Sequence, residues 1–414
     1  MQELDKKSIH PTLEYLIFFL KWLLITVGVG VIVGAAGAAF AHALAFVNKL
    51  RAAYPMLLLG LPIGGLVIVF LYRVTRNTED KGTNTIISAA RGEVAVSWKT
   101  APLIFVSTVI THLFGGSAGR EGAALQLGGS IAGSLCRFYR LDSEASRRII
   151  VMCGMAAGFS ALFGTPLAAA VFALEVAYVG AMEYSALFPC VAASMIAHFV
   201  AEFLQVPPEV FHLAQVPAFT PVGFLQILVL SAVAGAVSIG FCMVMHKAEH
   251  LYQQVPNPYA RVAMGGILVI VMAAVWQTGD YLGSGMGIIE HIFHGGGETA
   301  PLAFLLKMLF TAVTLGAGFK GGEIVPSFTI GAALGVVVGP VLGMPTELAA
   351  ACGMVGLFCG VTNCPIAALM ISFELFGFEG MPWYLTATAV SYLLSGKYSL
   401  YHVQNFRHSK LSLM

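Results

Sequence analysis

Residues 111–133 read THLFGGSAGREGAALQLGGSIAG, and residues 311–335 read TAVTLGAGFKGGEIVPSFTIGAALG. Each stretch holds a glycine cluster, a basic residue (Arg120, Lys320), an acid (Glu121, Glu323) and then an apolar run rich in small residues. A second matching pair follows. Residues 164–176, GTPLAAAVFALEV, and residues 363–375, NCPIAALMISFEL, each carry a proline with a glutamate nine positions on. Pro365 and Glu374 stand 199 positions after Pro166 and Glu175. Self-similarity at a fixed offset marks architecture, so the chain reads as a duplicated unit of about 200 residues. The repeat alone leaves open whether the copies run parallel or inverted.

The medium around the repeat is lipid. Of 414 residues, 58% are hydrophobic and 10% charged, where a soluble domain carries roughly 25% charged residues. Mean hydropathy is +0.83. The net charge of +1 points to no nucleic-acid surface. The 46 glycines suit membrane helices, where small residues let backbones approach. Apolar segments near 15–48, 56–73, 100–115, 122–137, 148–163, 165–179, 185–204, 222–247, 260–277, 302–317, 324–343, 346–361, 365–378 and 382–395 predict an all-α integral membrane protein. Several are shorter than the ~20 residues that span a bilayer upright. Short, glycine-interrupted segments in matching halves point to a transport site at the membrane midplane.

The organisation expected is a cytoplasmic N-terminal segment (1–14), a first transmembrane repeat (15–205), a second (206–405) and a short tail (406–414) with no soluble regulatory domain. Lys6 and Lys7 favour a cytoplasmic N-terminus, as basic residues do. The apolar run from Leu16 to Ala45, interrupted by Gly28, Gly30, Gly34 and Gly37, is too long for a signal peptide. Residues 137–148, RFYRLDSEASRR, hold four arginines between apolar runs and read as a solvated cytoplasmic loop. The seven cysteines show no ligand spacing and read as apolar packing residues.

Glu121 carries the sharpest chemical signal. An ionisable residue inside a membrane is costly and marks function by default. It opens an apolar helix directly after glycines, and a helix N-terminus presents free N–H groups and positive dipole, a ready anion site. Ionised, Glu121 would compete with a diffusing anion for that site; protonated, it would release it. The bland alternatives are a pair with Arg120 or a helix cap. Glu323 opens the matching helix, with a pair to Lys320 or a cap as its bland reading. Two carboxylates at one anion site repel, so at least one is expected to exchange protons near neutral pH. Glu175 and Glu374 read as structural acids at helix ends, and Tyr401 as an interfacial aromatic anchor.

Two decoys stand beside these. Gly115-Gly116-Ser117-Ala118-Gly119 matches the G-x-S-x-G pattern of hydrolases, which makes an intramembrane serine protease with His112 as base the remote alternative. His246 and His250 have the i, i+4 spacing of metal ligands, but no third ligand is evident.

Taken together, GSAGREG (116–122) resembles the GxGREGP motif of CLC anion channels and transporters, and GGEIVP (321–326) resembles their GGxFxP motif. GTPLA (164–168) and SGKYSLY (395–401) are similar to two further motifs, in order along the chain. The resemblance implies a CLC-type fold of two inverted-topology repeats of tilted and broken helices. It implies a homodimer with one pore per subunit, cytoplasmic termini and a multi-pass place in the cell membrane. It gives Glu121 the role of gate and proton carrier, and Tyr401 that of a pore tyrosine facing the anion. Gly119, Arg120, Gly122, Gly322, Glu323, Ile324 and Val325 become candidate anion-binding positions through their backbone. Where the family's first motif offers a serine, this chain reads Asp80-Lys81-Gly82-Thr83-Asn84-Thr85, leaving Thr83 as the candidate hydroxyl. The inner proton glutamate of chloride/proton exchangers falls on Val176. With the acid of GGE, these departures resemble the fluoride-exporting branch. The expected function is fluoride/proton antiport, with a chloride channel or chloride/proton exchanger as the alternative, and with fluoride or chloride and protons as the only small partners. An enzyme, a cofactor and a metal are not expected.

Overall fold

The computed structural model describes residues 11–295, 299–407 and 410. The expected N-terminal segment and tail therefore lie largely outside the described residues. Sixteen α-helices are found among those described. The first eight are α1 (Pro11–Ala53), α2 (Leu61–Val74), α3 (Thr83–Ala90), α4 (Thr100–Leu113), α5 (Glu121–Ser134), α6 (Glu144–Phe163), α7 (Pro166–Glu175) and α8 (Leu187–Phe203). The second eight repeat the order: α9 (Pro221–Gln253), α10 (Pro258–Trp276), α11 (Met286–His294), α12 (Ala303–Gly316), α13 (Ile324–Val341), α14 (Thr346–Thr362), α15 (Pro365–Phe376) and α16 (Met381–Leu394). A two-residue parallel ladder joins Tyr178 to Asn405 and Val179 to Phe406.

The halves are inverted, and the paired proline–glutamate segments show it. Glu175, ending α7, accepts the N–H groups of Ile366 and Ala367 at the start of α15 (3.2 and 2.9 Å). Glu374 on α15 accepts those of Leu167 and Ala168 at the start of α7 (2.9 and 2.8 Å). Each carboxylate satisfies donors that a helix start leaves free. Such an exchange requires α7 and α15 to lie side by side and head to tail. The helices before them end alike: Gly164 after α6 and Asn363 after α14 take left-handed φ of 76° and 57°, conformations that glycine and asparagine tolerate. Proline at the first turn then starts the next helix.

Seven helices among the described residues are long and apolar enough to cross a membrane. One third of the apolar window of α1 is covered by protein but 83% of that of α6, so α6 is core and α1 faces lipid. Helix α1 runs unbroken through its four glycines, as one first membrane helix, in keeping with the single segment expected there. Gly30 packs on Ile196, Gly34 on Ala197 and Gly37 on Ala161, so the glycines seat α1 against α8 and α6 instead of ending it. The short helices α3 and α11 were not foreseen. The arginine-rich segment is only partly a loop: residues 144–148 form the first turn of α6, and Arg148 donates to Glu183 at 2.7 Å. Six cysteines are buried and Cys136 is partly so, all with free thiols.

Glycine also sets the closest crossings, and both halves use it at the same place. A methyl group on Gly154 would lie 2.2 Å from the Gly128 carbonyl oxygen, where α5 meets α6. One on Gly353 would lie 2.3 Å from the Gly331 carbonyl oxygen, where α13 meets α14. Overpacking of this kind costs about 1–3 kcal/mol or more. Gly154→Ala is expected to lower the thermal midpoint of the detergent-purified protein, whereas Gly240→Ala, with nothing within 4 Å, leaves it in place.

Candidate functional site

The glycine clusters of the two halves meet face to face. Gly119 N–H donates to the Gly322 carbonyl (2.6 Å), and Gly322 N–H donates to the Gly119 carbonyl (2.8 Å). The approach needs residues without side chains: a methyl group on Gly322 would sit 2.5 Å from the Gly122 amide nitrogen. This bridge sets the N-terminus of α5 against that of α13. Helix α3 adds a third start. From the Cβ position of Gly122, Gly322 Cα is 3.0 Å away, Thr83 Oγ1 3.1 Å and Glu323 Oε2 3.2 Å. Three positive helix ends thus converge at Gly122. Within α5 the first intrahelical donor near the start is Ala124, bonded to the Arg120 carbonyl (2.9 Å), so the N–H groups of Glu121, Gly122 and Ala123 precede the helical ladder. In α13 Ser327 is the corresponding donor, after Ile324, Val325 and the donorless Pro326.

Glu121 is fully buried at this junction. Its carboxylate accepts the Arg120 backbone N–H (3.1 Å) and Arg120 Nε (3.3 Å); Arg120 also pairs with Glu209. The bland pairing of Glu121 with Arg120 is therefore real, and it holds the carboxylate beside the helix start. Glu323 differs. Lys320, its expected partner, instead places Nζ 4.5 Å over the Tyr72 ring. Glu323 makes no capping bond, and its Oε2 is buried without a partner. Thr83 Oγ1 receives Gln126 Nε2 at 3.4 Å, and the same amide donates to the Gly122 carbonyl at 3.1 Å.

Tyr401 is 2% exposed, which overturns its reading as an interfacial anchor. Its hydroxyl has no protein partner. The junction thus gathers Gly119, Arg120, Glu121, Gly122, Gly322, Glu323 and Thr83, with Ile324 and Val325 opening α13; of Tyr401 the structure shows burial and an unpartnered hydroxyl. It can hold a small anion by N–H and O–H donors with two carboxyl groups at hand. Val176 is buried, its carbonyl bonded by Gln404 Nε2 at 3.0 Å.

The glycine loop rests on a residue the sequence analysis passed over. Lys307 of α12 is fully buried and donates to Ser117 Oγ (3.0 Å), the Tyr281 carbonyl (3.1 Å) and the Gly283 carbonyl (2.7 Å). Three protons meet three acceptors. A single charge in the apolar run AFLLKMLF (303–310) was the available signal. Ser117, the candidate nucleophile, bonds Thr311 Oγ1 (3.0 Å) and Lys307, while His112 Nε2 lies 3.4 Å from the Gly119 carbonyl. No serine–histidine couple forms, because the serine side chain is spent on tying the loop to α12. His246 stacks on His402 instead of joining His250, and among the described residues no three such side chains are placed so that they could hold a metal ion.

Comparison with known proteins gives concordant likenesses. The family described as voltage gated chloride channel matches residues 63–396. A chloride/fluoride channel protein of Pseudomonas syringae pv. tomato is 37% identical over 96% of this chain and 89% of its own. An H(+)/Cl(-) exchange transporter of Yersinia pestis is 26% identical over 85% and 80%. Among solved structures, a CLC-type fluoride/proton antiporter superposes with a TM-score of 0.90 at 33% identity, covering 97% of this chain and all of that one. A slow cyanobacterial Cl-/H+ antiporter shares the fold, with a TM-score of 0.78 at 19% identity.

Proposed function

This chain belongs to the voltage gated chloride channel family and is an integral membrane anion transporter; from that premise we propose that it exports fluoride across the cell membrane in exchange for protons. The observation that carries the reading is the second carboxyl group, that of half-buried Glu323, whose Oε2 is buried without a protein partner where the helix starts converge on Gly122. Fluoride is the smallest halide and takes the shortest charge-assisted bonds from N–H and O–H donors. A protonated Glu323 and the Tyr401 hydroxyl supply such donors beside the N–H groups of α5 and α13. The relative named as a chloride/fluoride channel and the antiporter structure support the same assignment.

In this mechanism ionised Glu121 occupies the electropositive start of α5. Protonation neutralises it, the anion takes its place, and the proton travels counter to the anion. Inward proton flow supplies the energy to expel fluoride. The working unit is a homodimer with one pathway per subunit.

Liposomes holding both halides test the proposal. Fluoride efflux should exceed chloride efflux by about tenfold or more, the scale of one good charge-assisted hydrogen bond, and an imposed proton gradient should drive fluoride uphill. Faster chloride efflux would instead assign the chain to chloride transport.

A further inference from the structure

A cluster of titratable side chains lies one residue beyond Tyr401. The rings of His402 and His246 stack with centroids 3.9 Å apart and planes at 29°. His402 Nε2 lies 3.3 Å from Glu249 Oε2, one turn along α9 from His246. His246 Nε2 is buried without a partner, whereas His402 and Glu249 are about half exposed, at 49% and 48%. The cluster therefore has a wet face and a dry face. Toward the anion site, the Val403 N–H donates to Asn84 Oδ1 at 3.5 Å, next to Thr83, whose Oγ1 shares the surroundings of Gly122 with Glu323 Oε2; the Tyr401 hydroxyl, one residue before His402, is buried without a partner. Other charges nearby are Lys247 and His250 on α9 itself and Lys81 ahead of α3; Lys410 is held by the Tyr392 carbonyl and Ser395.

The cluster's side of the membrane follows from its bonds. Arg91 donates to the Val403 carbonyl, and Arg148, from the arginine-rich segment, donates to the Ala90 carbonyl at 3.3 Å. Residues 402–403 thus share a face with the basic segment expected on the cytoplasmic side.

We propose that His246, His402 and Glu249 form the proton-exchange site through which Glu323 reaches the solution on that face. The step is a simple transfer. The O–H bond of protonated Glu323 breaks as an N–H bond forms on a neutral imidazole, and the imidazolium returns its proton to solvent. Two stacked rings so close repel a second positive charge, so the pair carries one proton at a time, with Glu249 balancing it. The inference rests on the antiport reading and gives it a proton route on a side where Val176 offers none.

The test uses the full chain in liposomes, with fluoride and proton fluxes read by electrodes in the same sample. In a His246→Gln/His402→Gln double variant, and separately in Glu249→Gln, proton flux should fall roughly tenfold or more, as on loss of a positioned proton-transfer group, while fluoride efflux changes less than about twofold. The dependence of rate on pH at the cluster's face should flatten in both. An unchanged proton-to-fluoride ratio overturns the relay. A parallel fall of both fluxes also overturns it, since that marks a packing role only. A wild-type protein that moves fluoride without protons overturns the antiport reading itself.

Discussion

Glu121→Gln protein in liposomes is expected to pass fluoride downhill but to lose proton movement coupled to it by about a hundredfold or more. Glutamine keeps the shape of the side chain and its contact with the Arg120 N–H. It neither ionises nor carries a proton. The start of α5 would then attract only the anion, because the competing carboxylate that reaches it at 3.1 Å from Arg120 N is gone. The measurement is fluoride accumulation against its gradient under an imposed proton gradient. Uphill movement that survives the substitution removes Glu121 from the gate, whatever the total flux.

The second large effect is on stability. Lys307→Met should lower the thermal midpoint by roughly 10 °C or prevent isolation of folded protein, since each orphaned buried acceptor costs about 1–3 kcal/mol. Replacing a whole buried ion pair with apolar side chains is often neutral. Here two of the three acceptors are the backbone carbonyls of Tyr281 and Gly283, which no side-chain substitution can remove. Gly283 in turn accepts the Ala118 N–H at 3.1 Å, so the loss propagates to the loop ahead of Glu121. Thermal unfolding followed by tryptophan fluorescence in detergent reads the effect; an unshifted midpoint would show that the ammonium is dispensable.

The duplication, the membrane class and the acids at the two helix starts were legible in the sequence because each breaks a strong local rule. Charges are rare in apolar runs, and Pro166 with Glu175 repeats as Pro365 with Glu374. The direction of the second copy was not legible, since two halves have the same periodicity in either orientation; the exchange of caps between α7 and α15 decides it. Helices α3 and α11, eight and nine residues long, are too short to register as spans. Tyr401 was misread because a phenol after the last apolar run looks the same whether the chain leaves the bilayer or folds back into it. His402 and His246 lie 156 positions apart, a proximity that spacing cannot reveal.

The paired hydrogen bonds between Gly119 and Gly322 bear on how cargo gets through. Many carriers work by swinging one lobe of the molecule about the other, opening a passage first on one side and then on the other. Here the lobes are stitched together at the proposed anion site, so a wide swing would tear the seat it is meant to serve. Turnover must instead come from small movements of individual groups around a fixed seam, and a cross-link elsewhere between the lobes should leave the rate nearly untouched.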